Sequence, residues 1–179
     1  QNEQDNRNYA QAAGVPMLEP SDSQEAYDYA IRAMAVSEEW NIPVMLRLTT
    51  RICHSRTVVE TRNVAGPTLE PDFGRNIEGR VMIPAHARPA HRRLREKLKD
   101  IRRRNEGSDM HFVDPGDGEP AIITSGVSYA HARDAAPDSP ILKLGMTHPL
   151  PMDAIRDFVE QHERCVVVEE NDPYLATHI

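Results

Sequence analysis

AIITSGVSYAHARDA, residues 121–135, decides the fold. AIIT is an apolar, β-rich run of the kind found in a buried strand, and Ser125 with Gly126 turns it onto a helix near residues 127–135. The pattern then repeats. SPILKLG, residues 139–145, reads as a second strand, and CVVVEE, residues 165–170, as a third. Between them Pro151 sits in the first turn of a helix carrying Met152, Ile155, Phe158 and Val159. Strand and helix alternating through short loops imply parallel pairing with right-handed crossovers, an α/β fold. DPGDGEP, residues 114–120, precedes this run as a cluster of turn residues, and Asp172 with Pro173 reads as the cap and first residue of a last helix.

Upstream, residues 15–50 read as one more strand, helix, strand unit. VPMLE is a short strand, and Ser21 lies three residues before Gln24, a spacing that lets each side chain satisfy the other's backbone donor at a helix start. From Glu25 to Trp40, Ala26, Ala30, Ala33 and Trp40 lie on one side and Tyr27, Ile31 and Met34 on a neighbouring one, a stripe that suits a sheet. Asn41 ends the helix, and PVMLRLTT, residues 43–50, reads as a strand buried on both faces. Periodicity is lost between Ser55 and Gly79, where Gly66, Pro67, Pro71 and Gly74 stand among charges as a linker or long surface loop. One long helix follows, with Leu94, Leu98 and Ile101 on one face and Gly107 as its stop.

Composition bounds the function. The chain has 179 residues, 39% hydrophobic and 27% charged, with apolar runs frequent enough to exclude general disorder. No apolar stretch nears the roughly 20 residues that span a bilayer. A net charge of -7 disfavours binding of the whole chain to nucleic acid. Cys53 and Cys165 stand far apart and read as reduced, cytosolic thiols rather than as a disulfide framework or a metal cage.

Each candidate for chemistry has a plainer reading. Gly116-Asp117-Gly118 matches the start of a thiamine diphosphate metal motif, but no Asn follows at the spacing that motif needs, so it reads as a turn. Nine basic residues between Arg88 and Arg104 alternate with Glu96 and Asp100 on a helix with a single apolar stripe, the pattern of a solvated face; a docking role is the sharper alternative. The eight histidines form no HExxH pair, and Ser125 lacks the GxSxG elbow. QNEQD, residues 1–5, packs amides and carboxylates too closely for a hydrophobic core; it is either a solvated end or the lining of a polar cavity.

QNEQDNRNYA at the start, then PMLEPSDSQEA, PVMLRLTTRICHS, AIITSGVSYAHA, KLGMTHPLP and VVVEENDPYL, occur in an order that resembles the α subunit of indolepyruvate ferredoxin oxidoreductase. That resemblance implies oxidative decarboxylation of arylpyruvates to aryl-acetyl-CoA, with thiamine diphosphate and its Mg²⁺ as cofactor, CoA as co-substrate and 4Fe-4S clusters passing electrons to ferredoxin. It implies a β-subunit partner, a cytoplasmic location and no nucleic-acid or membrane partner. It further implies that residues 1–60 close a pyrimidine-binding domain, 61–109 form a linker with the basic helix, and 110–179 begin a domain like the C-terminal one of transketolase. On this reading the chain is an internal fragment, and the cofactor, metal and cluster ligands lie outside it. QNEQD then faces the substrate, with Gln1, Asn2, Glu3 and Gln4 lining its pocket and Asn2 and Gln4 donating hydrogen bonds to the carboxylate. Arg7 or Arg51 would supply a cation, whereas Glu3 and Asp5 would repel the anion. Two alternatives stand beside this: a non-catalytic subunit-docking module, and a relative acting on another 2-oxo acid.

Overall fold

The computed structural model describes residues 4–63 and 74–179. Gln1, Asn2 and Glu3, with Gly66, Pro67 and Pro71 of the expected loop, lie outside the described residues.

The elements in order are α1 (Arg7–Ala13), β1 (Met17–Leu18), α2 (Ser23–Trp40), β2 (Met45–Leu46), α3 (Thr50–His54), α4 (Ile77–Arg80) and α5 (Pro84–Glu106), then β3 (Phe112–Asp114), β4 (Ala121–Ser125), α6 (Ser128–Ala135), β5 (Ile141–Leu144), β6 (Met146–His148), α7 (Met152–Glu160), β7 (Cys165–Val168) and α8 (Tyr174–His178). β5, β4 and β7 pair in parallel, the expected α/β arrangement, and β3 joins antiparallel on the outer side of β5. A smaller sheet runs β2-β1-β6, with β1 parallel to β2 and antiparallel to β6.

β4 is buried at every position and so is β5, including Lys143, a charge set inside the apolar run ILKL. One core cluster joins Ala10 and Met17 to Ile123, Leu142, Leu144, Ile155, Phe158 and Leu175, so the N-terminal residues and the large sheet share a core. A second packs α2 and α5 on the small sheet through Tyr29, Ile101, Met110 and Met146. The crossing point is Gly145, between β5 and β6, where the chain passes from one sheet to the other.

Several local expectations shift. PVMLRLTT yields only two strand residues, both half-buried, with Leu48 exposed; Met45 packs on one core cluster and Leu46 on the other, but β2 is an edge strand, so the apolar run overstated its burial. The helix stripe turns too: Tyr29 is its buried centre, with Ala33 and Trp40 packed alongside, while Ala30 and Met34 face solvent. Asp22, not Ser21, caps α2 by accepting from Glu25 N at 2.8 Å, and the Glu25 carboxylate reaches back to Ser21 N and Oγ rather than Gln24 doing so. Pro151 stands just before α7 and Pro173 just before α8, each one position outside the first turn. Within the expected loop, Ile77–Arg80 forms a short helix.

Candidate functional site

A cleft of about 800 Å³ opens where α3, the start of α1 and the segment after β7 meet. Gln4, Asn6, Arg47, Thr49, Thr50, Arg51, Glu170 and Asn171 are among its lining residues. The structure thus brings Gln4 and Arg51 to one cleft. Gln4 is exposed, and its side-chain oxygen accepts from Tyr9 Oη. Arg51 leans over the mouth, its side chain 66% exposed and its Nε 3.7 Å from Glu170 Oε1.

Beneath the cleft lies a network of buried charge. Arg7 is almost sealed from solvent; Nε donates to both oxygens of Asp5, Nη1 to Glu169 Oε2 at 2.8 Å, and Nη2 to Asp5 and to the carbonyls of Glu170 and Asp172. All its nitrogens are engaged, so Arg7 ties the two ends of the fold together and is not a cation for substrate. Burial opposes ionisation of Asp5, but the Arg7 hydrogen bonds and the charges of Arg7 and Arg47 outweigh it and hold the carboxyl below its ordinary range. Asp5 therefore belongs to the floor and faces Arg7. Burial, with the Glu19 charge behind it, pushes the Tyr174 phenol beneath Arg7 up to about 12, so it stays neutral.

Arg47 and Glu19 form the second half of this floor. Arg47 Nη1 donates to Glu19 Oε1, Nε to Asn6 Oδ1 at 2.7 Å, and Ser125 Oγ to Glu19 Oε2 at 3.2 Å. Sequence reasoning passed over both residues, although each is a lone charge within an apolar run, PMLE and PVMLRL, where a buried ion needs a partner. Further from the cleft, Lys143 donates to Glu25 Oε2 at 2.5 Å and to Tyr29 Oη at 2.9 Å. Burial lowers the Lys143 pKa despite the Glu25 charge that raises it.

Among the described residues no three His, Cys, Asp or Glu side chains gather where one metal ion could be held. The Gly-Asp-Gly run is a turn: a Cβ on Gly116 would stand 2.3 Å from the Asp138 carbonyl, Gly118 N donates to that same carbonyl, and Asp117 is exposed. The described residues therefore do not by themselves fit the metal and diphosphate of a thiamine cofactor. On α5 the arginines and Lys99 are solvent-facing, with Lys99 and Arg103 paired to Glu96 and Asp100 on the same helix, while half-buried Lys97 donates to the Asn41 carbonyl. No helix among the described residues is long and apolar enough to cross a membrane.

Residues 1–88 match the family model described as pyruvate flavodoxin/ferredoxin oxidoreductase, thiamine diphosphate-binding. Over its whole length the chain is 42% identical to the indolepyruvate oxidoreductase subunit IorA of Archaeoglobus fulgidus and 40% identical to that of Methanothermobacter thermautotrophicus. The chain spans about 30% of the length of either relative. Over 86% of the chain and 52% of the relative, it is also 26% identical to the 2-oxoglutarate synthase subunit KorA of Methanothermobacter thermautotrophicus.

Proposed function

We propose, from the match of residues 1–88 to the pyruvate flavodoxin/ferredoxin oxidoreductase model and the likeness of the whole chain to indolepyruvate oxidoreductase subunits, that the chain belongs to that family and supplies part of the 2-oxo acid site of an indolepyruvate ferredoxin oxidoreductase. In this reading residues 1–60 close the pyrimidine-binding domain, 61–109 link it onward, and 110–179 begin a transketolase C-terminal-like domain. A β subunit, ferredoxin, CoA and 4Fe-4S clusters would complete a cytoplasmic enzyme, in which thiamine diphosphate, when bound, would supply the electron sink.

The observation that carries the proposal is the cleft itself. Two positions assigned to the substrate from sequence, Gln4 and Arg51, line one polar cavity although they come from opposite sides of the β1-α2-β2 unit. An amide donor and a positive charge at one cleft suit an anion such as a carboxylate, which the charge draws in and the donor orients. Gln1, Asn2 and Glu3 continue directly from Gln4, and Asn2 is the further donor in this scheme. The chain's own contribution is binding and orientation; it holds the acid so that its keto carbon is presented to the rest of the site.

In the full-length oxidoreductase, Asn2→Ala, Gln4→Ala and Arg51→Gln should each raise KM for indolepyruvate or lower kcat. Kinetics equal to wild type in all three would remove the assignment. The similarity to a 2-oxoglutarate synthase subunit keeps a second substrate in view. Assay of the two-subunit enzyme with indolepyruvate and 2-oxoglutarate side by side separates the two.

A further inference from the structure

Arg7 and Arg47 are both buried and both flanked by carboxylates, yet they differ in how many of their donors are engaged. Arg7 has partners on every nitrogen. Arg47 does not. Its Nε is held by Asn6 and its Nη1 by Glu19, while its Nη2 stands 3.9 Å from Asp5, beyond hydrogen-bond reach. Among the described residues Nη2 has no hydrogen-bond partner, and Arg47 lines the cleft.

Glu19 fixes this guanidinium from behind and is itself fixed by Ser125. A buried arginine held at Nε and Nη1, with Nη2 left over beside a cleft, is organised in advance for an anion and loses little freedom when it binds one. Arg51 is the opposite case. Two-thirds exposed, it sits in solvent where its charge is screened, and its nearest carboxylate is Glu170 at 3.7 Å.

We propose that Arg47 is the residue that holds the carboxylate of the bound acid in this cleft, and that Arg51 only guides the anion at the rim. The proposal rests on the reading of the cleft as the 2-oxo acid site. It differs from a purely structural ion pair, in which Arg47 serves only to neutralise Glu19.

The test uses the assembled oxidoreductase with phenylpyruvate as the probe, reading equilibrium binding by calorimetry together with KM, and urea unfolding as the control. The informative variant is Glu19→Gln with Arg47→Gln, which removes both charges and leaves no buried ion unpaired. Its expected result is a wild-type urea midpoint with phenylpyruvate binding weakened tenfold or more, whereas Arg51→Gln weakens it no more than threefold. Should the double variant unfold, Arg47→Lys takes its place; it keeps the charge but loses the two-pronged geometry, and the same loss of binding is expected at an unchanged midpoint. Undiminished binding in the double variant or in Arg47→Lys, while Gln4→Ala or Arg51→Gln does weaken it, overturns the role of Arg47 and leaves the site reading intact. Undiminished binding in all of them overturns both.

Discussion

Arg7 and Glu169 stand 162 residues apart in the chain and 2.8 Å apart in space, each more than nine-tenths shielded from water. The same Glu169 carboxylate accepts from Leu175 N at 2.8 Å and Ala176 N at 3.1 Å, so it starts α8 as well as pairing with Arg7. One carboxylate thus couples the first helix, the end of the large sheet and the last helix. Arg7→Gln leaves Asp5 and Glu169 buried without their cation. It should cost about 3–5 kcal/mol, the usual result of removing one partner from a buried pair, read as a lowered urea midpoint with an unchanged slope. A loss under about 1 kcal/mol, the range of exposed pairs, would show that water reaches this network.

The pH response follows from Asp5. Its folded pKa lies below the ordinary 3.8, because Arg7 and Arg47 together outweigh the burial that opposes ionisation. A carboxyl depressed in this way contributes stability that is fully present above the unfolded value and is lost as pH falls through the folded one. The stability difference between wild type and Asp5→Asn should hold level from pH 7 to about pH 5 and shrink below 3.8. Urea titrations at several pH values give the curve, and a difference that shrinks between pH 7 and pH 5 instead would point to another group.

The helix start is where sequence and structure diverge most instructively. Ser21 with Gln24, and Asp22 with Glu25, are both plausible caps separated by one residue. Asp22 wins because its carboxylate accepts from Glu25 N, while Glu25 turns back to Ser21 and is also held by Lys143. Nothing near residue 25 in the sequence announces a partner at residue 143. Asp22→Ala should therefore cost about 1 kcal/mol, and Gln24→Ala only a few tenths, by thermal or urea unfolding. Equal costs would restore the sequence reading.

That case marks the boundary of what was legible. The parallel order of β4, β5 and β7 follows from strand and helix alternation, which is local. The long apolar face of α5, with Leu94, Leu98 and Ile101, is also local, and all three pack in the second core. What the sequence concealed is pairing at a distance. Arg47 and Glu19 each look like a stray charge until the fold sets them together, and Arg7 looks available until Asp5, Glu169 and two carbonyls fill its donors. Gln4 and Arg51 could be named from motif order, but their shared cleft depends on the path of the chain through α1 and α3.

Gly145 gives a prediction about packing alone. A Cβ there would lie 2.2 Å from Tyr29 Oη and 2.3 Å from the Met110 carbonyl, both far inside contact distance. The chain crosses between sheets at this point, and α2 presses Tyr29 against the gap. Gly145→Ala should destabilise by about 1–3 kcal/mol, the usual cost of overpacking. Adding Tyr29→Phe removes the hydroxyl clash but leaves the Met110 carbonyl and the ring carbon Cζ at 2.9 Å, so it should recover only part of the loss in a urea double-mutant cycle.

The two cysteines should separate by reactivity. Cys53 is exposed near the end of α3, whereas Cys165 begins β7 half-buried, and burial followed by the Glu119 charge pushes its thiol up from the ordinary 9.0. A thiol reacts through its thiolate, so both the lower access and the raised pKa slow Cys165. With a chromogenic disulfide reagent acting on the 179-residue chain at pH 8, one equivalent should react quickly and a second slowly, and Cys53→Ser should abolish the fast phase alone. In urea the two rates should converge, because unfolding removes the burial that separates them. A fast phase that survives Cys53→Ser would mean that the β7 edge opens readily, and it would place the weak point of the large sheet beside Ala121, the residue paired with Cys165.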